Sequence, residues 1–415
     1  MTPRAFLIRS LVPTVGLAHD AEDLGLYAAA AARSWSHFPH MLRVDGLTTP
    51  QVAALREKAR LLRIQVAESM PYRHGEDWSE GLVISADTVS LSSLARDISI
   101  SYASVGRALS ELLAALAQRT RRLHFRSGDL VLDRGAGGVL MGVLNVTPDS
   151  FADGGRHEGV EGSVEHGLRL AADGAAIVDV GGESTRPGAA PVSVEEELAR
   201  TIPVVKKLRD ALPAAVIVSI DTMKSEVARA AVDAGAELIN DVSGLSADPA
   251  MRAAAASLGV HVVLNHMRGT PRTMQNAPSY RHVIPEVIAD LSEAAEAARQ
   301  EGIDPEKILI DPGIGFGKRL ADNLAILRHL AAFASLGRPV VVGISRKSFL
   351  GKLVPDEGAD SVPRGDATLA AEACAMLAGA HIVRTHDPAR AARAGRVAGA
   401  ISGYGAAAGD EASSR

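Results

Sequence analysis

Eight short apolar runs in this chain end in polar side chains of the kinds that bind small anions and heterocycles. The run ends carry Asn145, Asp179 with Glu183, Asp221, Asn240 with Asp241, and Asn265 with His266. Asp311, then Ser345 with Arg346 and Lys347, then Arg384 with His386 complete the set. The starts of the runs carry almost nothing polar. Two chemical halves emerge from the ends. Asp221, Asn240 and Asp311 offer a row of carboxylate and amide groups, suited to a flat heterocycle with ring N–H, amino and carbonyl groups. Arg186, Lys347, Arg384 and His386 are basic and suit phosphate or pyrophosphate. Asn145 can offer its side-chain oxygen to Mg²⁺ while pyrophosphate supplies other ligands, because Mg²⁺ commonly keeps few protein contacts.

The elements that must position these groups alternate regularly. Strands are predicted at 139–146, 175–182, 215–221, 236–241, 260–266, 307–313, 339–345 and 380–386, each short and rich in β-branched residues. Helical patterns separate them at about 161–173, 194–212, 223–235, 248–257, 281–302, 320–335, 365–378 and 388–401. Eight strand–helix repeats of this length have the rhythm of an α/β (β/α)8 TIM barrel, in which all strand ends meet at one mouth. A doubly wound open sheet is the competing architecture, but eight near-equal repeats ending in polar residues favour closure. The Gly/Pro-rich loops 147–160 and 182–193 read as lids over the mouth.

A chain of 415 residues is too long for one ordinary core, so two domains are expected. Residues 1–118 read as a small α+β domain of unknown role. Its strands are expected at 41–46, 63–68 and 81–87, with helices at 48–62 and about 88–118. Residues 119–138 read as a basic linker and a hairpin covering the bottom of the barrel, 139–402 as the barrel, and 403–415 as a disordered tail. The net charge of −5 and the lack of a long basic run exclude a nucleic-acid or membrane footprint. No stretch is long and apolar enough to span a membrane, and 5–17 lacks a cleavage signal, so a cytoplasmic location is expected. The single cysteine, Cys374, excludes an internal disulfide and is expected to be buried in a helix. The segment DPGIGFGKR (311–319) imitates a phosphate-binding loop, but Pro312 and Arg319 stand where the G-x-x-x-x-G-K-[ST] pattern needs Gly and Ser or Thr.

Taken in order, NVTPDSFADGG, VDVGGESTRPGA, SIDTMKSEVARAAVDAGAELINDVSG, LNHMRGTPRTMQ, DPGIGFGK, GISRKSFLG and IVRTHD resemble the motifs of the dihydropteroate synthases. That resemblance implies a transferase of folate biosynthesis. It joins 6-hydroxymethyl-7,8-dihydropterin pyrophosphate to 4-aminobenzoate with Mg²⁺, is a target of sulfonamides, and is commonly a homodimer. It implies that Asp221, Asn240, Asp311 and Lys347 hold the pterin, with Asn265 lining it. Arg186, Arg384 and His386 would hold pyrophosphate, and Asn145 would touch Mg²⁺. Thr185, Pro187, Phe151, Phe316 and Ser348 would form the aminobenzoate pocket. Asp153, Lys347, Arg384 and Asp311 would serve catalysis by an SN1-like displacement. Three residues depart from the family pattern: Asn265 for a usual methionine, Ile314 for phenylalanine and Ala152 for serine. A corrinoid-type pterin-binding methyltransferase would lack the S-T-R-P and S-R-K-S elements, and a non-catalytic pterin-binding protein would lose Asn145, Arg186 or Lys347. All of these are present.

Overall fold

The computed structural model describes residues 4–7, 40–68, 72–74, 77–79, 81–118, 120–134, 136–146, 155–185, 189–354 and 361–402. Residues 147–154 of the loop 147–160, with Phe151, Ala152 and Asp153, lie outside the described residues, as do Arg186, Pro187 and residues 403–415. Two compact units divide the chain. One takes in residues 1–119, 279–292 and 324–338, and the other takes in 120–278, 293–323 and 339–415.

The first unit contains β1 (Arg4–Leu7), β2 (His40–Asp45), α1 (Thr49–Leu61), β3 (Gln65–Glu68), β4 (Tyr72–His74), β5 (Asp77–Ser79), β6 (Gly81–Ala86), α2 (Thr88–Ser99) and α3 (Ala103–Ala117). Its antiparallel sheet has the order β1-β2-β6-β3, and β4 pairs with β5. The helical pattern expected across 88–118 breaks at Ile100, Ser101 and Tyr102 into two helices. Folding back lets Leu91, Leu94 and Ile98 share a core with Val105, Leu109 and Leu112, and with Leu42, Val44, Leu82 and Ile84 of the sheet. Gly106 permits the close approach, since a Cβ there would lie 1.8 Å from Ser99 Oγ and 2.6 Å from the Ala95 oxygen. Asp87 starts α2 by accepting the Ser90 N–H at 2.8 Å.

The second unit opens with an antiparallel hairpin, β7 (Thr120–Phe125) and β8 (Gly128–Asp133). Eight parallel strands follow: β9 (Val139–Asn145), β10 (Ile177–Gly181), β11 (Ile217–Asp221), β12 (Leu238–Asp241), β13 (His261–Asn265), β14 (Ile308–Asp311), β15 (Val341–Gly343) and β16 (Ile382–Thr385). Between and after them along the chain run α4 (Gly155–Ala172), α5 (Val194–Ala211), α6 (Ser225–Asp233), α7 (Met251–Leu258), α8 (Val283–Gln300), α9 (Leu320–Arg328), α10 (Val362–Leu377) and α11 (Pro388–Ile401), of which residues 283–292 of α8 and 324–328 of α9 count with the first unit. Capping side chains mark several helix starts: Ser193, Ser361 and Asp387 each accept a backbone N–H three residues on. The sheet runs β14-β13-β12-β11-β10-β9-β16-β15, and a parallel bridge between Ile310 and Val340 joins its two ends. The expected TIM barrel is thus closed.

At the strand starts the hairpin acts as a plug. Leu123, Leu130 and Leu132 pack against one apolar residue from each of the eight strands, from Met141 on β9 to Ile382 on β16. This end is less apolar than the sequence suggests, because polar groups fasten the hairpin and the strand starts. Glu237 accepts the Ser127 N–H at 3.0 Å, and the His261 ring lies 4.1 Å from that of Phe125. His381 Nδ1 accepts the Val340 N–H at 3.1 Å. Cys374 is exposed rather than buried. On α10 the core-facing positions are Thr368, Glu372, Ala375 and Met376, and Cys374 falls on the other side of the helix.

Burial pushes the His381 pKa down to about 3, so the folded protein keeps the ring neutral. A histidine with a lowered folded pKa contributes stability above its ordinary value of 6.5 and loses it as the pH falls toward the folded value. His381→Gln should therefore flatten the loss of stability between pH 6.5 and about 3 in urea unfolding. An unchanged pH slope in the variant would contradict the assignment.

Candidate active site at the barrel mouth

Strand register sets the mouth. Gly181 at the end of β10 pairs with Asn145 of β9 on one side and Asp221 of β11 on the other, and Asp221 pairs with Asn240 of β12. Asn265 pairs with Asp311, and Gly343 with Arg384. The two glycines matter because they carry no side chain at this level. A Cβ on Gly181 would stand 3.5 Å from Asp221, and one on Gly343 would stand 3.7 Å from Lys347 Nζ.

Arg384 joins three strands. Its Nε donates to Asp179 Oδ2 at 2.7 Å, and its Nη2 donates to Asp221 Oδ2 at 2.7 Å. Asn240 Nδ2 donates to the same Asp179 oxygen at 2.9 Å. Asp179 is fully buried, and its second oxygen has no hydrogen-bond partner among the described residues. Burial raises the Asp221 pKa, with Arg384 pulling it down and Asp179 adding to the rise. Burial also opposes the charge of Arg384, but Asp179 and Asp221 outweigh it and hold that pKa above its ordinary value. Arg384 was expected at a pyrophosphate. Here its guanidinium sits on Asp221 of the expected pterin row and on the buried Asp179 behind it.

Across the mouth, Lys347 Nζ donates to the Ile314 carbonyl and lies 4.5 Å from the centre of the Phe316 ring. Burial lowers the Lys347 pKa to about 8 despite the opposing pull of Asp311. Asp311 is itself shifted upward by burial, with Lys347 as the main counterweight. The turn that presents Lys347 places Arg346 at φ 60°, a left-handed conformation costly for a residue with a Cβ, and Thr368 Oγ1 accepts the Arg346 N–H at 3.1 Å. His386 Nδ1 and Ser345 Oγ share a hydrogen bond of 2.9 Å. Ser348 and Asn145 are exposed at the ends of their segments, and Thr185 is half-buried.

Some supporting groups were not legible beforehand. Lys224, three residues past Asp221, binds Glu183 and the buried Glu197 of α5, while Arg200 Nη1 donates to the Gly182 carbonyl at 2.8 Å. These contacts fasten the base of the 182–193 loop. Lysine at that place in SIDTMK was the available signal, but nothing local names its partners on another helix. Asn265, the departure from the family methionine, is 4% exposed, and its Nδ2 donates to the Val242 carbonyl at 2.7 Å. The amide therefore holds the turn that follows β12. Asn265→Ala should lower stability by about 1–3 kcal/mol in urea unfolding, because a buried carbonyl loses its donor. An unchanged midpoint would show that the amide holds nothing.

Comparison with known proteins bears directly on this mouth. Residues 141–386 match the family model of pterin-binding enzymes. Dihydropteroate synthase of Escherichia coli K12 is 47% identical over 261 residues, covering 62% of this chain and 89% of that protein. The fold is similar to that of Xanthomonas albilineans dihydropteroate synthase solved with 4-aminobenzoic acid, at 47% identity and a TM-score of 0.61, covering 68% of this chain and 98% of the other. It is also similar to the Xanthomonas enzyme in complex with 7,8-dihydropteroate, at 44% identity and a TM-score of 0.59, with coverage of 68% and 98%. Closed barrel, strand-end acids and amides, and a sequence match spanning every strand end from Asn145 to His386 agree: the chain belongs to the pterin-binding enzyme family, among its dihydropteroate synthases.

Proposed function

We propose that the chain joins 6-hydroxymethyl-7,8-dihydropterin pyrophosphate to 4-aminobenzoate, giving 7,8-dihydropteroate and pyrophosphate. One observation carries this reading. The acid–amide row of Asp221, Asn240 and Asp311 and the basic group of Lys347, Arg384 and His386 stand at the same mouth of one closed barrel. The row matches the hydrogen-bonding edge of a pterin, and the basic group matches the departing pyrophosphate. The Xanthomonas complexes with 4-aminobenzoic acid and 7,8-dihydropteroate support the same substrates.

Asp221, Asn240 and Asp311 orient the pterin through paired hydrogen bonds, and Lys347 donates to the ring from the facing turn. Arg384 moves from its carboxylates toward the phosphates when the pterin edge takes up Asp221. With Arg186 and His386 it stabilises charge that grows as the leaving group departs. The methylene C–O bond breaks and its electron pair goes to pyrophosphate. The buried Asp311 carboxylate, with Asp153 from the first loop, offsets positive charge on the pterin methylene. The amine of 4-aminobenzoate then bonds to that carbon and sheds a proton to solvent. Thr185, Pro187, Phe151, Phe316 and Ser348 form the pocket that aligns the amine.

The donor set fits Mg²⁺. Asn145 ends β9 with an exposed amide, a hard oxygen donor of the kind Mg²⁺ takes. Asn145 would hold the ion together with substrate phosphate and water, and the bound ion supplies positive charge at the leaving group. A cytoplasmic location and a homodimer belong to the same proposal.

Pyrophosphate release by the chain should require dihydropterin pyrophosphate, 4-aminobenzoate and Mg²⁺ together, and sulfonamides should compete with 4-aminobenzoate. Lys347→Ala should lower kcat/KM by about 100-fold or more while leaving the circular dichroism spectrum unchanged. Wild-type-like turnover in that variant would remove Lys347 from the site.

A further inference from the structure

The loop that imitates a phosphate-binding loop turns its lysine inward. Lys318 is 3% exposed, so its ammonium does not face a solvent-borne anion. Its Nζ contacts His266 Nδ1 at 2.9 Å and donates to the Phe316 carbonyl at 3.1 Å. A longer contact reaches the His266 carbonyl at 3.4 Å. One cation thereby ties the end of β13 to the loop after β14.

The three glycines of that loop make the same contact possible. Gly313, Gly315 and Gly317 have φ of 71°, 84° and 60°. A Cβ on Gly313 would lie 1.8 Å from the His266 carbonyl oxygen, and one on Gly317 would lie 2.7 Å from the Arg268 carbonyl oxygen. At Gly315 it would press on the Lys347 side chain at 2.9 Å. Gln275 Nε2 also donates to the Gly315 carbonyl at 2.9 Å, and Asn323 Oδ1 accepts the Gly315 N–H at 2.7 Å. The loop is a wall held from behind, and its front carries the Phe316 ring beneath Lys347.

We propose that Lys318 is a positioning residue, which fixes the Phe316 wall of the mouth by bridging His266 and the Phe316 carbonyl. Lys318 acts through Phe316 and need not touch a substrate. The inference rests on the proposed reaction, in which Phe316 lines the 4-aminobenzoate pocket. Asp221, Asn240 and Asp311 are carried by strands, and the loop reaches this row at Asp311, whose Oδ1 accepts the Gly313 N–H at 2.7 Å immediately after β14. Phe316 is the residue that Lys318 holds directly, while Lys347 and Asp311 meet the loop at Ile314 and Gly313, so loss of the bridge should weaken 4-aminobenzoate more than the pterin substrate.

Steady-state kinetics of Lys318→Met in the full chain test this. The KM for 4-aminobenzoate should rise about tenfold, while that for dihydropterin pyrophosphate changes less than about threefold. An unchanged 4-aminobenzoate KM, or an equal rise in both, would overturn the proposal. A second measurement needs no variant. With ¹⁵N-labelled histidine, wild-type His266 should hold its proton on Nε2, leaving Nδ1 to accept from Lys318. A proton on Nδ1 would overturn the bridge even if Lys318→Met fails to fold. If the wild-type chain releases no pyrophosphate, the reaction itself is wrong, and the His266 signal then decides the bridge alone.

Discussion

The Arg384 guanidinium, held between Asp179 and Asp221, is the interaction on which the mouth depends. Two carboxylates and an amide converge there with little access to water, and an isolated buried carboxylate is costly enough to take up a proton instead. Arg384 offsets that cost with directed hydrogen bonds to both acids. Removing one member of such a cluster typically costs about 3–5 kcal/mol, because the remaining charge is left uncompensated. The arrangement requires barrel closure. Arg384 lies on β16, which pairs with β9, and Asp179 and Asp221 lie on the next two strands around. Apolar packing around the plugging hairpin thus supports an electrostatic cluster at the opposite end.

Similar logic governs the other side of the mouth. Lys347 and Asp311 are each pushed by burial toward neutrality, and each holds the other nearer its charged form. The two halves have different supports. Acid and amide groups stand on strands, whose register fixes them closely. Lys347 and Phe316 stand on loops, and these need fastening by Ile314, Gln275, Asn323 and Lys318. Rigid strands suit a flat heterocycle with fixed donors and acceptors, while loops allow entry and release.

Much of this was legible in the sequence because the physics is local. A buried parallel strand is a short apolar run, and the residue after it is polar only when it reaches a functional face. That rule located Asn145, Asp221, Asn240, Asp311, Lys347, Arg384 and His386 at the mouth. Partnerships were less legible, because they join residues distant along the chain. Arg384 meets Asp179 205 positions away, which no spacing rule announces. Asn265 read only as a ligand-facing change, and nothing in its neighbourhood announced the bond from its amide to the Val242 carbonyl. The helix at 88–118 read as continuous because its apolar period runs through the break, and only the shared core requires it to fold back. Cys374 misled for the opposite reason: small and apolar by type, it sits on the outer side of its helix.

A crystal structure of the chain with dihydropterin pyrophosphate tests the central claim most directly. The pterin edge should replace Arg384 on Asp221 and bond to Asn240 and Asp311, with the guanidinium turned toward the phosphates. A pterin bound away from these three side chains, or absent from the barrel mouth, would contradict the account.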